Sequence, residues 1–119
     1  MSVGALVGGL LVVPSGVAGL CCGTPWKSKG LTDGYAEMRS RVRAGLEQAA
    51  DSDLPIVADA SSCTEGFREL LVEDGKSRKR VVDVVEFVRH HLLPRLTVQR
   101  RLAGPLVIYP TCSVSRLGV

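Results

Sequence analysis

The stretch Leu54-Pro55-Ile56-Val57-Ala58-Asp59-Ala60-Ser61-Ser62-Cys63-Thr64-Glu65-Gly66-Phe67-Arg68-Glu69-Leu70-Leu71-Val72-Glu73 decides the fold class. Leu54 to Ala58 is a short apolar run that stops at Asp59, as a buried strand does. Ser61, Ser62 and Cys63 follow at once, and the spacing predicts a short helix from Thr64 to Glu73. A strand leading directly into a helix is the first half of a parallel crossover unit.

The same grammar extends on both sides. Leu10 to Val13 reads as a short buried strand closed by Pro14, and Ser15 to Gly30 as a loop rich in Gly, Pro and Ser. Thr32 and Asp33 are expected to cap a helix running to about Ala50. Its apolar positions Tyr35, Met38, Val42 and Leu46 follow helical spacing, and Arg39, Arg41 and Arg43 are expected outward. Downstream, Asp74 to Arg80 reads as a charged turn, Val81-Val82 as a strand, Val84 to Leu93 as a helix broken at Pro94, and Leu106 to Tyr109 as a last strand closed by Pro110. Strands alternating with helices predict an α/β, Rossmann-like architecture, a mainly parallel sheet with flanking helices.

Composition bounds the function. The chain has 119 residues, 15 Lys and Arg against 12 Asp and Glu, 45% hydrophobic residues, and one Trp, two Tyr and two Phe. That is room for one domain. The small net charge and few aromatics argue against nucleic-acid binding, and a complete flavin or nicotinamide enzyme needs more chain. No Gly-x-Gly-x-x-Gly, P-loop or nucleophile elbow is present. Residues 1 to 26 carry no charged side chain, so no basic region precedes the apolar run Val3 to Val13. That run is too short to span a bilayer. A reducing cytoplasm, with peripheral association at the cytoplasmic face of a membrane permitted, is the expected location.

Four cysteines stand out: the adjacent Cys21 and Cys22, then Cys63 and Cys112. All four follow apolar runs read as strands, so all four are expected after strand ends, on the edge of a parallel sheet where ligands bind. The motif of apolar run, turn residue and Cys occurs three times, at unequal intervals. Thiolates suit iron–sulfur clusters, zinc and Cu(I). The spacing has no paired Cys-x-x-Cys knuckles and no ferredoxin run, and Cys63 is 41 positions after Cys22, so only the fold can join these residues. Reduced, partly buried thiols with no ligand are the competing reading.

The run Cys21-Cys22-Gly23-Thr24-Pro25-Trp26-Lys27-Ser28-Lys29-Gly30 resembles the CCG segment of the cysteine-rich domain in FAD-linked, iron–sulfur D-lactate dehydrogenases. The runs Val57 to Gly66 and His91 to Leu96 resemble the segments that follow it, and Tyr109 to Ser113 resembles the start of that family's second Cys repeat. The domain type also occurs in iron–sulfur subunits of glycolate oxidase, anaerobic glycerol-3-phosphate dehydrogenase and heterodisulfide reductase. The resemblance implies an electron-transfer part carrying electrons from reduced flavin to a quinone or cytochrome-type acceptor. Cys21, Cys22, Cys63 and Cys112 would be ligands of a [4Fe-4S]-type cluster or redox thiols. It further implies a flavin domain and a ferredoxin-like cluster domain in the same polypeptide, with FAD bound there. Residues 1–119 match only part of the pattern. The isolated Cys of the first repeat is expected upstream of Met1, Ala60 stands where Cys-x-x-Cys would have its first Cys, and the second repeat only begins at about 106–119. The expectation is therefore a truncated domain from the middle of a longer oxidoreductase, inactive alone. The alternative is a non-catalytic zinc-binding or interaction module on Cys21, Cys22 and Cys63.

Gly23 would let the loop turn tightly, and Lys27 and Lys29 would lower a thiolate pKa or offset cluster charge, unless they are solvated loop lysines. Trp26 is expected to pack the loop onto the domain. Asp59 either serves the site or caps the helix after it. His90 and His91 are neighbours on a helix and point apart, so they read as helix-surface residues, and the basic residues Lys76 to Arg80, Arg100 and Arg101 as solvated.

Overall fold

The computed structural model describes residues 11–49, 54–72 and 81–119. A short helix α1 (Thr24–Ser28) leads into the long helix α2 (Thr32–Ala49). Strand β1 (Ile56–Ala58) precedes helix α3 (Ser61–Val72), and strand β2 (Val81–Asp83) precedes helix α4 (Val84–Phe87). A last short helix α5 spans Cys112–Leu117. β1 and β2 pair in parallel, Ile56 opposite Val81, Val57 opposite Val82 and Ala58 opposite Asp83. Parallel neighbours need a crossover, and α3 lies on the connection between them. The chain is thus helix-rich with a small two-stranded parallel sheet, and the β1–α3–β2 unit predicted from Leu54 to Val82 is present.

α2 supplies one wall of the core. Met38, Val42 and Leu46 recur every four residues and are buried, with Tyr35 packed beside them. They meet Leu70 and Leu71 of α3, Ala58 of β1 and Val81 of β2. The helix starts where the Tyr35 N–H donates to the Leu31 carbonyl, and Asp33 lies in its first turn, where a negative charge is favoured. Arg41 points outward and pairs with Glu37 at 2.9 Å. Arg39 and Arg43 are half-buried instead, and Arg43 donates to the Leu70 carbonyl at 3.2 Å, tying α2 to α3.

A polar joint locks α3 against the end of β2. Thr64 and Asp83 are fully buried, with Thr64 Oγ1 3.1 Å from Asp83 Oδ2 and 3.2 Å from the Ala60 carbonyl. The other oxygen of Asp83 accepts the Val85 N–H at 2.9 Å and so caps α4. On the outer side, Arg68 donates to the Val81 carbonyl at 2.9 Å and pairs with Glu86 at 3.2 Å.

The flanks depart from the sequence reading. Residues 11–13 of the expected Leu10–Val13 strand form no strand and are exposed, and Leu10 lies outside the described residues. The Ser15–Gly30 loop contains a 3₁₀ turn at Val17–Gly19 and then α1. The helix expected over Val84–Leu93 is helical throughout but not uniform: α4 widens into a π turn at Val88–Leu92 and tightens into a 3₁₀ turn at Leu93–Arg95. Pro94 is the reason, since it lacks an N–H and its ring collides with the carbonyl four residues back. The expected last strand, Leu106–Tyr109, has no partner among the described residues and is largely exposed. Pro105 and Pro110 remove ladder donors at both ends of it. The charged turn Asp74–Arg80 lies outside the described residues.

Candidate functional site

The CCG loop is held against two helices. The Cys21 N–H donates to Met38 Sδ of α2 at 3.3 Å, and Cys21 packs on the core cluster. Gly23 sits at φ +80°, a conformation that L side chains rarely adopt, and starts α1 by accepting from the N–H groups of Trp26 and Lys27. Pro25 occupies the first turn of α1, where its missing N–H costs nothing. Trp26 lies over Gly34 so closely that a Cβ there would collide with the indole, which pins α1 on α2.

The other wall is α3. Gly66 approaches the loop so tightly that a Cβ would lie 2.7 Å from the Cys22 carbonyl oxygen, 2.7 Å from Thr24 Oγ1 and 2.9 Å from Cys22 Cβ. Cys63 is one helical turn earlier on the same face. Cys22 is buried, Cys21 and Cys63 are half-buried, and all are free thiols. The Cys22 thiol lies close enough to those of Cys63 and Cys21 for both to influence its ionisation.

The Cys22 and Cys63 thiols are pushed in opposite directions. Burial drives the Cys22 thiol up, but hydrogen bonds from the Thr24 hydroxyl and backbone N–H, with the Cys63 and Cys21 contacts, outweigh it and leave Cys22 below the ordinary 9.0. Cys63 is pushed up to about 11 by burial, by its interaction with Cys22 and by the charges of Cys22 and Cys21, with Ser62 opposing. Cys22 Sγ is 3.4 Å from Thr24 Oγ1.

Three of the four expected thiols are therefore together. Cys112 is not with them: it opens α5, is exposed, and follows no strand. Among the described residues no strand precedes Cys21 and Cys22 either, so within them Cys63 alone has the strand-end position expected of all four. Helix packing, not a common sheet edge, gathers the other two. Lys27 forms an ion pair with Glu69 of α3 at 2.7 Å, bracing the loop. Lys29 is exposed at the end of α1, and Asp59 is exposed in the bend before α3. His90 and His91 are exposed, with His91 against the Phe87 ring. Thr24 and Gly66 were not singled out by the sequence reading. The signals for them were a hydroxyl two residues after Cys22 and a glycine inside a run of helix formers.

Among the described residues, no three or more His, Cys, Asp and Glu side chains converge to hold a metal ion. The clustered thiols number three, whereas a [4Fe-4S] cluster takes four thiolates, so these residues alone do not make up a complete cluster site. No helix among the described residues is long and apolar enough to cross a membrane. No family model, curated protein or solved structure matches the chain.

Proposed function

We propose that the chain is the cysteine-rich electron-transfer part of an FAD-dependent, iron–sulfur oxidoreductase of the D-lactate dehydrogenase type. One observation carries this reading: Cys21 and Cys22 from one segment and Cys63 from another, 41 positions after Cys22, arrive at one patch. On this reading the domain is a truncated Rossmann-like unit in the cytoplasm. Its thiols are a partial ligand set, completed by sulfur ligands outside residues 1–119. FAD and the ferredoxin-like clusters are assigned to neighbouring domains, in keeping with residues 1–119 carrying neither a phosphate-cradling glycine motif nor a ferredoxin Cys-x-x-Cys run. The electron acceptor is a quinone or cytochrome.

Anaerobic incubation with ferrous iron and sulfide, plus a small thiol for the missing ligand, tests the reading. The expected product is brown, retains iron and sulfide through gel filtration, and is lost in Cys21→Ser and Cys63→Ser but not in Cys112→Ser. Tight zinc retention without iron uptake would instead make the patch a zinc module. Uptake of neither metal would defeat both. Turnover of D-lactate by the isolated chain would show that it is no fragment.

A further inference from the structure

We propose that Cys22 and Cys63 form a reversible dithiol–disulfide couple, closed by a peroxide and reopened by a dithiol reductant. The inference rests on placement and not on the dehydrogenase reading. The glycine at 66 lets α3 run directly against the Cys22 backbone, where a Cβ would lie 2.7 Å from the Cys22 carbonyl oxygen. Cys63, three residues earlier on that face, is thereby brought near Cys22, close enough for each thiol to influence the other's ionisation. Cys21 packs on the core cluster with its N–H on Met38 Sδ, and its nearest sequence partner is the adjacent Cys22. Adjacent cysteines do not readily bond to each other, and Cys112 is exposed on α5. Two neighbouring free thiols suit two-electron sulfur chemistry.

The electrons balance with one peroxide. One sulfur attacks it: an S–O bond forms, the O–O bond breaks, and the thiol proton leaves with the departing hydroxide as water. The second sulfur then attacks the sulfenic sulfur. The S–S bond forms, the S–O bond breaks, and the second proton leaves with hydroxide as another water. Two electrons have passed from the two sulfurs to the peroxide. A dithiol reductant returns two electrons and two protons and becomes a disulfide itself.

The experiment uses the full chain, reduced, freed of reductant, and exposed to stoichiometric hydrogen peroxide. Free thiols are then alkylated and the peptides mapped by mass spectrometry without reduction. The expected dominant cross-link joins the Cys22 and Cys63 peptides, disappears on adding dithiothreitol, persists in Cys21→Ser and Cys112→Ser, and is lost in Cys22→Ser and Cys63→Ser. Circular dichroism establishes that each variant is folded, and Cys63→Ala replaces Cys63→Ser if the latter is not. A dominant cross-link through Cys21 or Cys112, or oxidation to sulfinic acid with no cross-link, overturns the proposal. Iron and zinc uptake are read separately, so a failed dehydrogenase reading leaves this result interpretable.

Discussion

At Cys63, burial and the neighbouring thiols hold the proton on well past its usual release, up to about 11 from an ordinary 9.0. Between these two values the folded chain keeps a proton that the unfolded chain has given up, so this residue's stabilisation is full below pH 9 and is lost as pH rises to about 11. Thermal melts across that window are expected to show a steeper alkaline loss for the wild type than for Cys63→Ser. In Cys22→Ser, which removes the contact and charge raising it, Cys63 is expected to ionise at lower pH, read by ultraviolet thiolate absorbance. Gly66 gives a second prediction at this scale. Alanine there gains about 1 kcal/mol of helix propensity but drives a methyl group against Cys22 and Thr24. Overpacking wins, and Gly66→Ala is expected to lower the urea-unfolding free energy by roughly 1–3 kcal/mol. The cost should shrink when Thr24→Gly removes one of the opposing atoms.

Among the elements, the β1–α3–β2 unit depends on a polar joint rather than on strand length, since each strand is only three residues long. Asp83 serves two partners at once, accepting the Val85 N–H and meeting the Thr64 hydroxyl, with no exposure to water. Thr64→Val keeps the shape but leaves Asp83 Oδ2 without that hydroxyl, and is expected to cost about 1–3 kcal/mol in chemical denaturation. Thr64→Ser, which keeps the hydroxyl, should recover most of that loss. Next to Thr64 on α3, Arg116 forks onto Glu65 at 3.0 and 2.7 Å, docking α5 and holding the Glu65 carboxyl below its ordinary value. Both side chains face solvent, so the bridge orients α5 more than it stabilises the fold.

Across the whole molecule, a radius of gyration of 16.3 Å is larger than the about 13–14 Å of a compact chain of this length. Part of the excess is visible in residues 96–111, which run exposed between the Pro94 turn and α5. Ile108, 78% exposed, has little packing to lose, so Ile108→Lys is expected to change the unfolding free energy by less than about 0.5 kcal/mol. In a buried strand the same change would be severe, and equilibrium unfolding distinguishes the two. The sequence alone determined the elements whose pattern and whose partner are near in the chain. The apolar stripe Met38, Val42 and Leu46 fixed α2, and the run Leu54–Ala58 followed by Ser61–Cys63 fixed the strand-to-helix step. It also showed that Cys21, Cys22 and Cys63 needed a fold to meet. Tertiary structure alone decided how they meet and which thiol is left out. Leu106–Tyr109 has the continuous apolar, β-branched run of a strand, but a strand exists only with a hydrogen-bonding neighbour, and an apolar run carries no information about neighbours. Likewise Cys22 meets Cys63 because a missing side chain at Gly66 admits the loop, a fact about the space between two segments that neither segment spells out by itself.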